Sequence, residues 1–215
     1  EDKTNNYKFY SEKITYKKND EIIFTDGDTT SKIYSRYDFI SKDTIFLRNE
    51  KILKSDSTTK IIDNENKTLY ELGKFNFVID KEVLKGEKIL VTSNYNLPQN
   101  DKLYFENGIF DLKNKSFVAK DIEVKLKKDI FDNLDNDPRL KGLSAVGKGN
   151  ITEIKKGIFT SCKNDDNCPP WVITAKKIKH DTEKKQLIYE GALLKIYNIP
   201  VLYFPKFFHP DPSVK

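Results

Sequence analysis

The side chains able to do chemistry are few: Cys162, Cys168, His180 and His209 hold all the thiol and imidazole groups of the chain. Two thiolates and two imidazoles are a donor set that tetrahedral zinc accepts, but zinc-binding cysteines usually stand two to four residues apart. Here they bracket the longer loop of TSCKNDDNCPPW, which Pro169 and Pro170 stiffen. That spacing suits a small loop disulfide between Cys162 and Cys168 in an oxidising compartment better than a metal. His180-Asp181 invites a catalytic dyad. Adjacent residues on a strand point to opposite faces, however, and cannot pair as a base and its orienter do. There is no GxSxG, HExxH or GxxxxGK[ST] pattern, and the carboxylates are scattered evenly rather than set as a glycosidase pair. The residues call for no catalysis, no metal and no cofactor.

Composition excludes other classes. With 37% hydrophobic and 12% aromatic residues, the chain is too rich in core formers for a disordered polyelectrolyte. No apolar run approaches the roughly 20 residues of a spanning helix. The net charge of +5 comes almost wholly from lysine, since arginine occurs only as Arg36, Arg48 and Arg139. Phosphate clamps and base readers lean on the planar guanidinium, so nucleic acid is a poor partner, and lysines mixed with acids read as solvated strand faces. The opening EDKTNNYKFY has no basic segment followed by an apolar one, and the chain contains no Met. The expectation is a piece of a longer or processed precursor.

The elements that must position these residues are strands. Apolar residues recur with a period of two: Phe75, Phe77 and Ile79 point one way in GKFNFVID, and Ile122, Val124 and Leu126 in KDIEVKLKK. Turn formers such as Asp26-Gly27-Asp28, Asp63-Asn64-Glu65-Asn66 and Asn107-Gly108 divide the chain into many short-linked strands. The expected fold class is all-β. Residues 129–150, with Pro138, Gly142, Gly147 and Gly149, read as an insertion loop with at most a short helix. An internal repeat links residues 11–33, 86–112 and 175–196. Each unit runs from Lys-Ile through a polar turn to a hydrophobic strand, an acidic residue and a glycine (Gly27, Gly108, Gly191). Such a unit cannot bury its apolar face alone, so copies must stack. The tail YNIPVLYFPKFFHPDP reads either as an extended connector or as a segment folded against the last sheet.

From Gly157 onward the sequence resembles the end of the periplasmic domain of the lipopolysaccharide-assembly (LptD, or organic-solvent-tolerance, OstA-like) family. The resemblance rests on Ser161-Cys162, Trp171, Ile178-Lys179-His180-Asp181, the Pro200-to-Pro205 stretch PVLYFP, and His209-Pro210-Asp211-Pro212. It implies a β-jelly roll or β-taco: two antiparallel sheets opened into a V whose apolar interior holds acyl chains. Residues 1–196 would form that domain, at the periplasmic face of the outer membrane, and 197–215 a connector to a transmembrane barrel. Burying each acyl CH₂ contributes about 0.8 kcal/mol, so a lipid in transit needs such a cover. Interior candidates for lipid binding are Ile14, Tyr16, Phe24, Phe75, Phe77, Ile79, Ile122, Val124 and Leu126. Tyr203, Phe204, Phe207 and Phe208, with Tyr197, are candidates for the barrel-proximal end.

The resemblance also implies partners. Lipopolysaccharide would arrive from an LptA-like periplasmic bridge protein by edge-strand pairing, with the segment Lys8 to Thr25 as the docking edge. An LptE-like lipoprotein plug would accompany the full-length barrel, and energy would come from an ATPase elsewhere. In the family the cysteine matching Cys162 pairs with one in the barrel, and Cys168 has no clear counterpart. Two other readings compete: a β-solenoid that binds or cleaves carbohydrate, with Tyr and Phe stacking on sugars, and a free-standing LptA- or LptC-like bridge.

Overall fold

The computed structural model describes residues 6–97, 101–125, 137–162 and 170–210, and they are almost wholly strand. The strands are β1 (Tyr7–Lys17), β2 (Ile22–Ile33), β3 (Tyr37–Lys42), β4 (Ile45–Leu47), β5 (Ile52–Ser55), β6 (Thr59–Asp63), β7 (Thr68–Leu72) and β8 (Lys74–Val78). After a 3-10 turn at Ile79–Lys81 come β9 (Val83–Ser93), β10 (Asp101–Asp111), β11 (Ser116–Lys125), β12 (Arg139–Lys148), β13 (Ile151–Thr160), β14 (Trp171–Asp181), β15 (Gln186–Ile196) and β16 (Ile199–Pro210). They fall into two compact units. Residues up to Lys102, with Glu106–Asn114, make the first; Leu103–Phe105 and the chain from Lys115 make the second.

The long strands share a sequence feature finer than simple alternation. Their inward residues stand at i, i+2, i+5 and i+7, so the phase slips once in mid-strand. In β11 these are Phe117, Ala119, Ile122 and Val124; in β13, Thr152, Ile154, Gly157 and Phe159; in β15, Leu187, Tyr189, Ala192 and Leu194. At each slip stands a residue in the left-handed region: Asp121 (φ 51°), Lys156 (φ 51°) and Gly191 (φ 60°). Lys88 (φ 51°) holds the corresponding place in β9, whereas β2 turns at Gly27 (φ 81°) with its buried Thr25, Thr29, Ser31 and Ile33 keeping one phase. Only glycine adopts that conformation freely, so the lysines and the aspartate are held there by the ladders on either side. The strand turns a corner at this point and offers an inner face to each half of a folded sheet.

In the first unit the corners close a ring. β2 pairs with β3 through residues 28–33 and with β4 through residues 22–24. β9 pairs with β7 through residues 90–93 and with β8 through residues 83–87. The arms β3–β6–β7 and β4–β5–β8 thus join β2 to β9, while β1 pairs with β2 outside the ring. The arms face each other across an aromatic core: Phe39 lies 5.5 Å from Phe75 and 5.3 Å from Phe77, and Tyr37 lies 5.4 Å from Phe77. Phe77, Leu53, Ile61 and Leu84 are fully buried. Towards one end the interior becomes polar, with the hydroxyls of Thr25, Thr29, Ser41 and Thr59 linked pairwise at 2.7 Å.

The other end is tied by Arg36. Its guanidinium donates two hydrogen bonds to Asp63 (3.1 and 2.9 Å) and one to Glu82 (3.0 Å), and Tyr37 donates to the same Glu82 oxygen (2.6 Å). Asp63 also accepts from the backbone of Glu65 and Asn66 and from the Asn66 side chain. These contacts join the β2–β3 turn, the β6–β7 turn and the approach to β9.

The second unit is a meander, β11 to β16, each strand antiparallel to the next. It folds over on itself. β13 and β16 are separated in the sheet by two strands, about 14 Å in the plane, yet the rings of Phe159 and His209 are 5.4 Å apart. Phe159 lies below its corner and His209 above the corresponding one, so the two halves face each other. Small inward residues give the neighbours room: a Cβ on Gly157 would stand 2.3 Å from Ile178 Cδ1.

Two expectations change, and the tail takes one of its two readings. Residues 139–148 are not an insertion loop but the central strand β12, with Leu140 and Ala145 buried; glycines that suggest a break face inward between larger neighbours. Residues 129–136 lie outside the described set. The repeat is real as three hairpins, β1–β2, β9–β10 and β14–β15, but its glycines differ. Gly27 and Gly191 sit at corners, whereas Gly108 faces inward, where a Cβ would stand 2.6 Å from the Phe110 ring. The tail is the strand β16, paired with β15 from Ile199 to Pro210, and the expected boundary at 196/197 falls in the tight turn between them. Pro200, Pro205 and Pro210 are tolerated because the strand lies at the edge.

Burial pushes the Asp63 carboxyl up, but the hydrogen bonds from Arg36 and Asn66 outweigh it and hold the group below the usual carboxylate range. A depressed folded value gives stability that is present above the ordinary carboxylate pKa, about 3.9, and lost as pH falls through the folded value. We predict that Asp63→Asn is less stable than the native chain by roughly 2 kcal/mol at neutral pH. The gap should shrink as pH falls below about 4. Urea unfolding across that range checks this; a gap independent of pH would contradict it.

Candidate functional site

The inward residues line up across strands into continuous rows, because cross-strand partners share a face. Above the corners of the second unit the row is Ala119, Ala145, Ile154, Ile178, Tyr189 and Phe207. Below them it is Val124, Leu140, Phe159, Ile173, Leu194 and Leu202. The lower row is the more informative. Val124, Leu140 and Phe159 are buried, Ile173 and Leu194 half-buried, and Leu202 is 50% exposed. Trp171, Ile196 and Ile199 extend it, Ile199 at 65% exposure. The inner face is therefore filled at β11–β13 and opens to an apolar lip at β15–β16.

The upper half of the lip is fixed by stacking. Tyr189 is fully buried, stacks on Phe207 with centroids 4.6 Å apart and nearly parallel, and shares a 2.9 Å hydrogen bond with His209 Nε2. His209 Nδ1 lies 2.6 Å from the Pro210 carbonyl. A carbonyl can only accept, so Nδ1 carries the proton, and in the neutral ring Nε2 accepts from the Tyr189 hydroxyl. Phe159 closes the cluster against Tyr189 and His209.

The lipid-binding candidates divide three ways. Phe75, Phe77 and Ile79 are fully packed core of the first unit, as are Ile122 and Val124 in the second. The continuous open trough that the resemblance implies is thus not formed there: in the first unit protein side chains already fill the space between the arms. Ile14 and Tyr16 are inward yet 47% and 44% exposed, because they lie in the half of β1 beyond the ring, whereas Tyr7 and Phe9 pack against Phe46. The Tyr16 hydroxyl donates to Glu21 at 2.7 Å, and the Arg48 guanidinium reaches the same hydroxyl at 3.1 Å. Phe24 does not join them. Its cross-strand partner is Thr15, on the opposite face from the Ile14–Thr25 pair, and Lys17 lies 5.0 Å over its ring. There it lines an open groove of about 300 Å³ with Lys13, Lys17 and Asp26. Leu126 lies outside the described residues.

The barrel-proximal candidates also split. Phe204 and Phe207 face inward, while Tyr203 and Phe208 face out at 58% and 66% exposure. Sequence reasoning missed the lip residues Ile173, Leu194, Ile196, Ile199 and Leu202; the mid-strand slip in the alternation was the signal that finds them. Cys162 sits at the end of β13, where its sulfur lies 3.8 Å from the Trp171 carbonyl, and the buried Arg139 donates to its carbonyl. Cys168 lies outside the described residues. Among those described, no cluster of His, Cys, Asp and Glu is arranged to hold a metal.

No family model matches the chain. It is similar to the LPS-assembly protein LptD of Polaromonas sp., 27% identical over 107 residues that make up 44% of this chain and 13% of that protein. It is also 26% identical over 107 residues to the LPS-assembly protein LptD of Nitrosomonas eutropha, covering 46% of this chain and 14% of that relative. The match thus spans about one-seventh of the curated relatives.

The gradient of exposure makes a test. Ile178→Asn, in the filled part of the inner face, should cost roughly 3 kcal/mol or more, because it leaves a polar group without water or partner. Leu202→Asn at the lip should stay within about 0.5 kcal/mol of the native chain. Denaturant midpoints for the two variants decide this; equal losses would mean that the lip is closed core.

Proposed function

We propose that this chain is a lipid-shielding domain of an outer-membrane lipopolysaccharide-assembly protein. It takes lipopolysaccharide from a periplasmic bridge and covers the acyl chains on their way to a barrel translocon. The observation that carries the reading is the inner apolar face of the second unit, continuous from β11 to β16, buried at Val124, Leu140 and Phe159 and exposed at Leu202, Ile196 and Ile199. In the first unit, by itself, Ile14 and Tyr16 on β1 are also inward and part-exposed. Two relatives named for lipopolysaccharide assembly support it.

On this reading the acyl chains lie first against the exposed inner positions, where apolar contact removes CH₂ groups from water without displacing the core. The sugar and phosphate head stays in solvent. β1 is the docking edge for an LptA-like bridge: it carries eleven residues without proline or glycine, and among the described residues its strand partner is β2. A strand edge of that length is a template for another strand. An LptE-like plug belongs to the barrel of the full-length protein, at the periplasmic face of the outer membrane. Cys162 pairs with a cysteine outside this chain or with Cys168; thiol counting before and after reduction separates bridged from free. The domain performs no chemistry of its own.

Photocrosslinking residues placed at Leu202 and at Ile14 should capture lipopolysaccharide or lipid A, and one placed at the exposed Lys60 on β6 should not. Capture of soluble polysaccharide instead, or equal capture at all three, would overturn the reading in favour of a carbohydrate-binding module.

A further inference from the structure

The outer face of β15 and β16 carries a second apolar surface that lipid shielding inside the fold does not use. Phe208 is 66% exposed beside Ile188, and Tyr203 is 58% exposed beside Leu193. Ile158, at 43%, continues the row beyond Thr174, and Tyr197 stands at the β15–β16 turn at 66%. Large aromatic rings left in water on one face mark a contact surface. A partner strand is a poor occupant for the adjoining edge, because Pro200, Pro205 and Pro210 remove amide donors from β16.

Charge identifies the occupant. Lys155, Lys156, Lys176, Lys179, Lys195 and Lys206 lie on β13–β16 around the apolar row. The acids of these strands are Glu153, Asp181 and Glu190. Lys177 lies 3.9 Å from Glu153 and 3.1 Å from Glu190, and Asp181 is buried and accepts from the Lys184 amide at 2.9 Å. A surface of exposed Tyr and Phe ringed by lysines, with its few acids already engaged, complements an anionic lipid surface. The rings seat at the headgroup level, and the lysines reach phosphate while their stems lie along apolar surface. We infer that the outer face of β15–β16 rests on the surface of an anionic membrane, with Tyr203 and Phe208 as its anchors.

The test is co-flotation of the 215-residue chain with vesicles of phosphatidylcholine alone or mixed with phosphatidylglycerol. Binding is expected to the mixed vesicles and to weaken as salt is raised. Tyr203→Ser with Phe208→Ser should reduce it roughly tenfold, and Lys179→Glu with Lys206→Glu at least as much. All four side chains point to solvent, and far-ultraviolet dichroism confirms that the variants fold. Leu202→Ser, on the inner lip, should leave vesicle binding unchanged while lowering lipid A capture, which keeps this inference separate from the function proposed above. Three results would overturn it: no binding to either vesicle, binding lost with Leu202→Ser but not with the outer variants, or self-association of the chain abolished by those same variants.

Discussion

A β-strand offers one side chain in two to each face, and most of the long strands here that serve both halves of a folded sheet break that alternation once. They change phase where they turn the corner. In this protein the change is a slip to i+5 after i+2, taken at a left-handed residue in every second long strand: Lys88, Asp121, Lys156 and Gly191. Without the slip, one half of each strand would present lysines inward and leucines to water. The inner rows, the fold-over that brings Phe159 against His209, and the lip at β16 all follow from it.

The corners also explain why the two units differ inside. In the first, short strands fill each arm separately and β2 and β9 join them at both ends, so the arms are tied across the aromatic core and by Arg36. A closed ring has no free inner surface. In the second, strands of ten to twelve residues span both halves. Its lower inner row is buried at Val124, Leu140 and Phe159 and exposed at Leu202 and Ile199, while the upper row stays buried through Tyr189.

Much of this was legible in the sequence. Alternation in GKFNFVID and KDIEVKLKK marks strands, and Phe75, Phe77, Ile79, Ile122 and Val124 do face inward. The hairpin repeat is visible as Lys-Ile, turn, strand and glycine. The corner was not read, because a single phase slip looks like noise when alternation is the template being sought; with it went the lip residues around Leu202. From sequence β12 reads as a loop, because Gly142 and Gly147 usually weaken strands. Here they make room for Ile154 and Phe117, which only neighbouring strands reveal. Phe24 was misplaced for a related reason: the register shift in the β1–β2 ladder between Ser11 and Lys13 decides which face it takes.

The account stands or falls on whether lipid meets the exposed ends of the inner face. Methyl resonances of Ile, Leu and Val, followed as lipid A is titrated into the chain, test this directly. The account predicts shifts at Ile14, Leu194, Ile196, Ile199 and Leu202, with Leu53 and Ile61 in the closed ring unmoved. Shifts confined to outward residues such as Val146, or none at all, would contradict it.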